Sequence, residues 1–320
     1  MTRIVVLDDY PPALATSQAY RRLRELGEVT LFDTLPQGEA AVIDRLRDSD
    51  VAINIRSSTK ITNVALAAVA GELRLVSIWG TGTDNVDLQA ARQWEIRVTN
   101  TPNTATEAVA EHGLALLLAL ARRVVAVHNA LCQGRWSQPE FFSQLYGKTL
   151  GIVGTGAIGR QMARLGVGLG MAVIAWSPHP KPELEKEIGL HYLDSLEEIL
   201  RQADVVSLHL RLTEEYQGMI GEKELRTMKP TALLLNTARG GLIDQKALVT
   251  ALEQGWIAGT ALDVFATEPI SPQDPLLTLP NVVLSPHCAG RTREAVENGL
   301  LQVVDNVRAF LQNQPQHVVV

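Results

Sequence analysis

The sequence predicts an α/β protein of two doubly wound parallel-sheet domains, and three observations lead there. The chain has 320 residues, more than one hydrophobic core usually serves. Apolar runs of strand length alternate with stretches of helical length along nearly all of it. One of those runs, residues 150–153, ends directly in Gly154-Thr155-Gly156-Ala157-Ile158-Gly159.

That last feature is the most informative. A strand that ends in GxGxxG and opens a helix makes a dinucleotide pyrophosphate site. The first glycine allows the turn, the second lets backbone approach the phosphates, and the third lets helix and strand pack closely. The helix start then offers unpaired N–H groups and the positive end of a dipole. Here a helix over 157–169 follows, and a second strand over 172–176 completes the βαβ unit.

The other elements follow in order. In the first hundred residues the runs 4–7, 51–55, 73–78 and 97–99 read as buried parallel strands, because apolar residues dominate most of them without a polar alternation. Helices are expected over 17–25, 39–47 and 63–70. This region has no phosphate loop of its own. Residues 104–128 read as one long helix, capped by Thr104 or Thr106, with Glu107 in its first turn. Its apolar residues, among them Leu114, Leu117, Leu118 and Leu120, lie nearly all round, which suits a domain junction or a subunit interface. Beyond the glycine-rich turn, strands fit 205–210, 232–235, 257–262 and 282–284. Helices fit 195–201, 221–228 and 245–254, and a last helix spans 291–312.

Composition narrows the function. Hydrophobic content of 46%, charged content of 20% and a net charge of −6 describe an ordinary globular chain and argue against a nucleic-acid or anionic-membrane partner. The two cysteines, Cys132 and Cys288, are too few for a disulfide framework and fit a reducing compartment. The N-terminal segment stops at Asp8-Asp9 and reads as a first strand rather than a signal peptide. The longest apolar stretch, 114–121, is too short to span a bilayer. A cytoplasmic location is expected, and no metal site.

Three further segments sit at strand ends, where open α/β sheets bind ligands. They are Leu235-Asn236-Thr237-Ala238-Arg239-Gly240, Asp263-Val264-Phe265-Ala266-Thr267-Glu268-Pro269 and Leu284-Ser285-Pro286-His287-Cys288-Ala289-Gly290. Taken singly, Arg239 reads as a solvated charge, Glu268 as a turn residue and His287 as a packed loop histidine. Together they suggest a division of labour for hydride transfer to a keto acid. His287 supplies the proton for the new hydroxyl. Glu268 favours the imidazolium and orients the ring. Arg239 offers a planar fork to the substrate carboxylate.

The arrangement resembles the D-isomer-specific 2-hydroxyacid dehydrogenase family over nearly the whole chain. Besides the segments above, the matching stretches are Ile55-Arg56-Ser57-Ser58-Thr59-Lys60-Ile61-Thr62, Gly80-Thr81-Gly82-Thr83-Asp84-Asn85-Val86-Asp87, Val98-Thr99-Asn100-Thr101-Pro102 and Ala108-Val109-Ala110-Glu111-His112. The resemblance implies that Arg239, Glu268 and His287 are catalytic, and that Arg56, Ser57, Thr81 and Gly82 lie in substrate-binding loops. It places Thr106, Gly154, Gly156, Ala157, Ile158, Gly159, Thr213, Thr237 and Ala238 with the cofactor, and Asp263 at the nicotinamide carboxamide. It also implies a Rossmann-type nucleotide domain, residues 102–289, inserted into a flavodoxin-like substrate domain formed by 1–101 and 290–320, and pairing of two subunits as a homodimer.

Departures from the family pattern bear on the cofactor. Ser177 stands where an NAD-preferring member has Asp, so the repulsion of a 2′-phosphate is missing. Lys181 and His179 add positive charge nearby. These residues lean toward NADP, whereas the lack of an Arg leaves open a relaxed site that takes NAD. Arg211 stands where many members carry Pro, and Cys288 beside the histidine reads as a small packing residue. The expected reaction is hydride transfer between NAD or NADP and a small D-2-hydroxy or 2-keto acid, either glyoxylate- or hydroxypyruvate-like or 3-phosphoglycerate-like. The alternative is a nucleotide-sensing, co-repressor-like binding protein on the same fold.

Overall fold

The computed structural model describes residues 1–136 and 141–320. The chain divides into two compact units, one made of Met1–Ala105 with Arg291–Val320 and the other of Thr106–Gly290.

The first unit alternates β1 (Arg3–Val6), α1 (Gln18–Arg24), β2 (Glu28–Leu31), α2 (Glu39–Leu46), β3 (Val51–Asn54), α3 (Asn63–Ala68), β4 (Leu75–Ile78), α4 (Leu88–Gln93) and β5 (Arg97–Thr99). Its strands pair in parallel in the order β2-β1-β3-β4-β5, the flavodoxin-like order. Strands β3 and β4 are buried at every position because helices cover both faces, which is why they read as mainly apolar runs. Strand β2 escapes that reading: it lies at an edge and alternates exposed with half-buried residues. The strand order reverses between β1 and β3, and there Asp8 is buried. Its carboxylate accepts the N–H groups of Ile55 and Arg56 at 2.7 and 3.1 Å and the Asn54 side-chain amide at 2.9 Å. Burial pushes the Asp8 carboxyl above the ordinary range, against the pull of those donors.

The second unit runs α5 (Thr106–Ala121), α6 (Val124–Cys132), β6 (Thr149–Val153), α7 (Ala157–Gly168), β7 (Ala172–Trp176), α8 (Glu183–Ile188), β8 (Leu190–Tyr192), α9 (Leu196–Gln202), β9 (Val205–Leu208), α10 (Glu222–Thr227), β10 (Leu233–Asn236), α11 (Gln245–Glu253), β11 (Gly259–Leu262) and β12 (Val282–Leu284). Its seven parallel strands are ordered β12-β11-β10-β9-β6-β7-β8. Counted from β6 this is the Rossmann order, with the reversal between β6 and β9. The glycine-rich turn follows β6 at that reversal. The chain then returns to the first unit through α12 (Arg293–Leu311), whose first turn is capped by the Thr292 hydroxyl. Its Leu300, Val303, Val304 and Val307 complete the core around Ile4, Val6 and Leu75.

The single helix expected over 104–128 is a correction. It is two helices, α5 and α6, bent by 63°. Arg123 breaks the run in a left-handed conformation, φ 50°. The burial explains the break. Helix α5 buries Leu116, Leu117, Leu120 and Ala121 in the second unit's core, whereas α6 buries no residue and leaves Val124, Val125 and Leu131 exposed. An apolar run can therefore be read correctly as helical while its course changes where the core beneath it ends. No single described helix is long and apolar enough to cross a membrane.

The break gives a substitution of definite sign. Glycine has no Cβ penalty in the left-handed region but costs about 1 kcal/mol inside a helix. Arg123→Gly is thus expected to leave thermal stability unchanged or raise it. A drop in the unfolding midpoint equivalent to about 1 kcal/mol would indicate a continuous helix instead.

Candidate active site

The nucleotide end of the second unit is built by glycines with different duties. Gly154, at φ +99°, packs where a Cβ would sit 2.9 Å from the His209 backbone, and a Cβ on Gly159 would fall 2.0 Å from the Gly154 carbonyl oxygen. Both are needed by the protein itself. A Cβ on Gly156 would meet no described protein atom within 4 Å, so its missing side chain has no internal packing reason. Open backbone at the second glycine, over the N-terminus of the 12-residue helix α7 with Ala157 and Ile158 in its first turn, is what a bound pyrophosphate requires. A second sign is Thr237: its hydroxyl is buried and has no hydrogen-bond partner among the described residues. Buried polar groups of that kind call for a partner, which a ligand can supply. The residues present therefore fit a nicotinamide dinucleotide.

Ser177 follows β7, half-buried, and its hydroxyl lies 3.4 Å from the backbone of the exposed His179. The exposed Lys181 follows, and its N–H reaches the Tyr192 hydroxyl at 3.2 Å, which in turn donates to Thr155 Oγ1 at 2.8 Å. Tyr192 thereby ties the Ser177 loop to the glycine-rich turn. Sequence reasoning missed it, because β8, which carries it, is a three-residue edge strand with no apolar run. Thr213 is exposed at the end of the segment that follows β9, and Thr106 is the first residue of α5. His209, in the same segment as Thr213, bonds Ser207 Oγ at 2.8 Å. Desolvation pushes its imidazole down to about 4, so it packs under the glycine turn as a neutral ring.

The three candidate catalytic residues stand on loops after β10, β11 and β12. Asn236, fully buried at the end of β10, accepts the Ala238 N–H and donates to the Arg239 carbonyl, both at 2.9 Å, and so shapes the turn that presents Arg239. Arg239 Nη1 donates to the Ala238 carbonyl at 2.8 Å. Gly240 comes next, and a Cβ there would lie 2.0 Å from the Phe265 carbonyl carbon. Only glycine lets the Arg239 turn approach the loop that carries Glu268.

Glu268 and His287 meet: Nδ1 of the ring lies 2.7 Å from Oε2, with each side chain about one-third exposed, at 31% and 35%. The other carboxylate oxygen accepts the Phe265 N–H at 3.0 Å. Burial alone would raise the Glu268 carboxyl. The His287 hydrogen bond and charge, the Phe265 N–H and the Arg239 charge together hold it below the ordinary carboxylate range. Whatever stability the ionised Glu268 carboxylate gains from these partners is lost as pH falls through that lowered value. His287 itself sits at φ 49°, a strained backbone for a residue with a side chain.

Asp263 sets that backbone. It is 1% exposed, at the end of β11. Its carbonyl accepts the His287 N–H at 2.7 Å. Its carboxylate accepts the Ser285 hydroxyl at 2.5 Å and the N–H groups of Cys288 and Ala289 at 3.0 and 2.9 Å. Three protein donors are thus matched to this carboxylate, two on Oδ1 and one on Oδ2.

In the first unit, Arg56 and Ser57 follow β3, and Thr81 and Gly82 follow β4. Arg56 Nε donates to the Tyr10 carbonyl at 3.0 Å, and Nη2 donates to the Pro11 carbonyl. The guanidinium carbon lies 5.7 Å from the Trp79 ring centroid. The Thr81 carbonyl is held by the Asn100 side chain at 2.8 Å.

Residues 114–289 match the family model described as D-isomer specific 2-hydroxyacid dehydrogenase, NAD binding domain. The chain belongs to this family. A glyoxylate reductase of Korarchaeum cryptofilum is 42% identical over 299 residues, covering 92% of this chain and 89% of that protein. A D-3-phosphoglycerate dehydrogenase of Methanocaldococcus jannaschii is 36% identical over 98% of this chain, which spans 58% of that longer protein. The crystal structure of the TT0316 protein from Thermus thermophilus superposes with a TM-score of 0.90 at 38% identity, with full coverage of both chains. The chain is a hydride-transfer oxidoreductase of 2-hydroxy and 2-keto acids with a nucleotide-binding domain of Rossmann type.

Proposed function

We propose that this enzyme reduces a small, unphosphorylated 2-keto acid of the glyoxylate or hydroxypyruvate type, with NADPH accepted at least as well as NADH. The observation that carries the reading is the His287–Glu268 pair at 2.7 Å on loops beside the Arg239 turn. The hydride comes from a bound reduced nicotinamide. Arg239 binds the substrate carboxylate bidentately and turns the carbonyl carbon to the hydride. With Nδ1 engaged by Glu268, His287 gives its Nε2 proton to the carbonyl oxygen as the alcohol forms. Glu268 keeps the ring oriented and stabilises its charged form. Arg56 supports the unphosphorylated substrate in one respect: its Nε and one Nη2 hydrogen serve the Tyr10 and Pro11 carbonyls, so its side-on fork braces the loop after β1 and only its end-on pair remains for a ligand.

His287→Ala is expected to lower kcat at least about 100-fold, the lower range for general acid–base catalysis. Arg239→Ala should chiefly raise KM for the keto acid and also slow turnover. Steady-state reduction of glyoxylate, hydroxypyruvate and 3-phosphohydroxypyruvate checks both. Near-wild-type kinetics in either variant removes that residue from the mechanism, and a preference for the phosphorylated acid overturns the substrate assignment.

For the cofactor, Ser177 presents a hydroxyl where an acid would repel a 2′-phosphate. Two unit charges at about 4 Å cost roughly 1 kcal/mol in water and about 4 kcal/mol at an effective dielectric of 20, or roughly five-fold to several-hundred-fold. Ser177→Asp should therefore cut kcat/KM for NADPH by a factor in that range and spare NADH. An unchanged ratio between the two cofactors would show that the 2′ position is read elsewhere.

The exposed apolar face of α6, with Val124 51%, Val125 49% and Leu131 56% exposed, fits a second copy of this chain, and we read the protein as a cytoplasmic homodimer. Analytical ultracentrifugation at micromolar concentration should show a dimer; a clean monomer contradicts the assignment.

A further inference from the structure

One side chain outside the three catalytic candidates is tied to the loop that carries His287. His112 lies on α5, and its Nε2 is 2.9 Å from Ser285 Oγ and 3.5 Å from Asp263 Oδ1. The Ser285 hydroxyl has one proton. Its 2.5 Å contact with Asp263 Oδ1 uses that proton, since the same oxygen also accepts the Cys288 N–H at 3.0 Å and so acts there as an acceptor. Ser285 therefore accepts from His112, and Nε2 of His112 must carry a hydrogen. The geometry fixes the ring as a donor into a partly buried chain that runs from His112 to Ser285 to the buried Asp263.

Asp263 is the group that pins the backbone of residues 287–289 through its carbonyl and both carboxylate oxygens. Ser285 lies two residues before His287, and it too is fastened to the sheet, through its N–H to the Leu262 carbonyl at 2.9 Å. His287 holds φ 49°, so its placement depends on these outside restraints and not on backbone preference.

We propose that His112 is a positioning residue for catalysis. It donates from Nε2 to Ser285, holds the Ser285–Asp263 hydrogen bond in one arrangement, and so keeps His287 at the angle that delivers its proton. Its contacts are with Ser285 and Asp263, and it acts on the chemistry through them. A loop freed at this point lets the imidazole drift, and a misplacement of about 1 Å at a reacting group is enough for large rate losses. The inference rests on His287 being the acid, as read above.

The test uses the full-length enzyme as wild type, His112→Leu, His112→Gln, Ser285→Ala and the His112→Leu/Ser285→Ala double variant. His112→Leu removes the donor at similar volume; the glutamine amide restores a donor near Nε2. His112→Leu is expected to lower kcat about tenfold with KM for the keto acid within about twofold, and His112→Gln to recover most of the loss. The double variant should be no slower than the slower single, because both act through one chain. A wild-type kcat in His112→Leu, a glutamine variant as slow as the leucine one, or additive losses in the double variant would each overturn the proposal. Failure of the catalytic assignment shows separately, as a His287→Ala enzyme that keeps its rate. Should the wild type reduce none of the acids, the proposal falls together with the catalytic reading on which it rests.

Discussion

The geometry of the candidate site depends on one buried carboxylate. Asp263 ends β11 and collects a hydroxyl, two backbone N–H groups and, through its carbonyl, the N–H of His287. A carboxylate at 1% exposure is tolerable only when its lone pairs are matched by donors, and here the donors come from the very loop that must be held. The desolvation of the acid and the ordering of the loop are thus one problem with one solution. Charge-assisted bonds are about twice as strong as neutral ones, which lets the loop hold His287 at a positive φ that its own backbone disfavours.

The same logic recurs in the first unit. Asp8 follows β1 and takes the N–H groups of Ile55 and Arg56, so the Arg56–Ser57 turn is fastened at the point where the strand order reverses. In both units an acid at a strand end anchors a neighbouring loop, and the side chains proposed for substrate and chemistry stand on the anchored loop. Parallel sheets favour this arrangement: their carboxyl ends expose the unpaired groups of several strands side by side, and a buried acid there can reach two strands at once. Close approach supplies the rest. Gly240 lets the Arg239 turn touch the Phe265 backbone, and Gly159 lets α7 rest on the Gly154 carbonyl. His209 stays neutral beneath that turn and adds no charge near a bound phosphate.

Much of this is legible in the chain. Buried parallel strands announce themselves as apolar runs, and β1, β3, β4, β5 and the core strands of the second sheet can be read from them. The edge strands β2 and β8 cannot, because an edge is half-solvated and its sequence mixes polar with apolar residues. The apolar composition of 104–128 marks it as helical, but composition does not record where the core stops, and the chain turns by 63° at Arg123. Arg239, Glu268 and His287 stand out because each follows a strand end.

Their meeting does not stand out. Residues 268 and 287 are brought to 2.7 Å by parallel β11 and β12 lying side by side, a fact of strand order that spacing along the chain does not contain. His112 and Ser285, 173 positions apart, are joined only because α5 packs across the sheet. By itself the sequence determined the alternation of strands and helices, the glycine-rich turn and the chemical types available at strand ends, since these follow from local periodicity and backbone sterics. The tertiary structure alone decided which of those groups share a hydrogen bond, which acid is buried and which ring is left neutral. Such properties depend on desolvation and on contacts between segments distant in sequence, and both exist only once the sheets have formed.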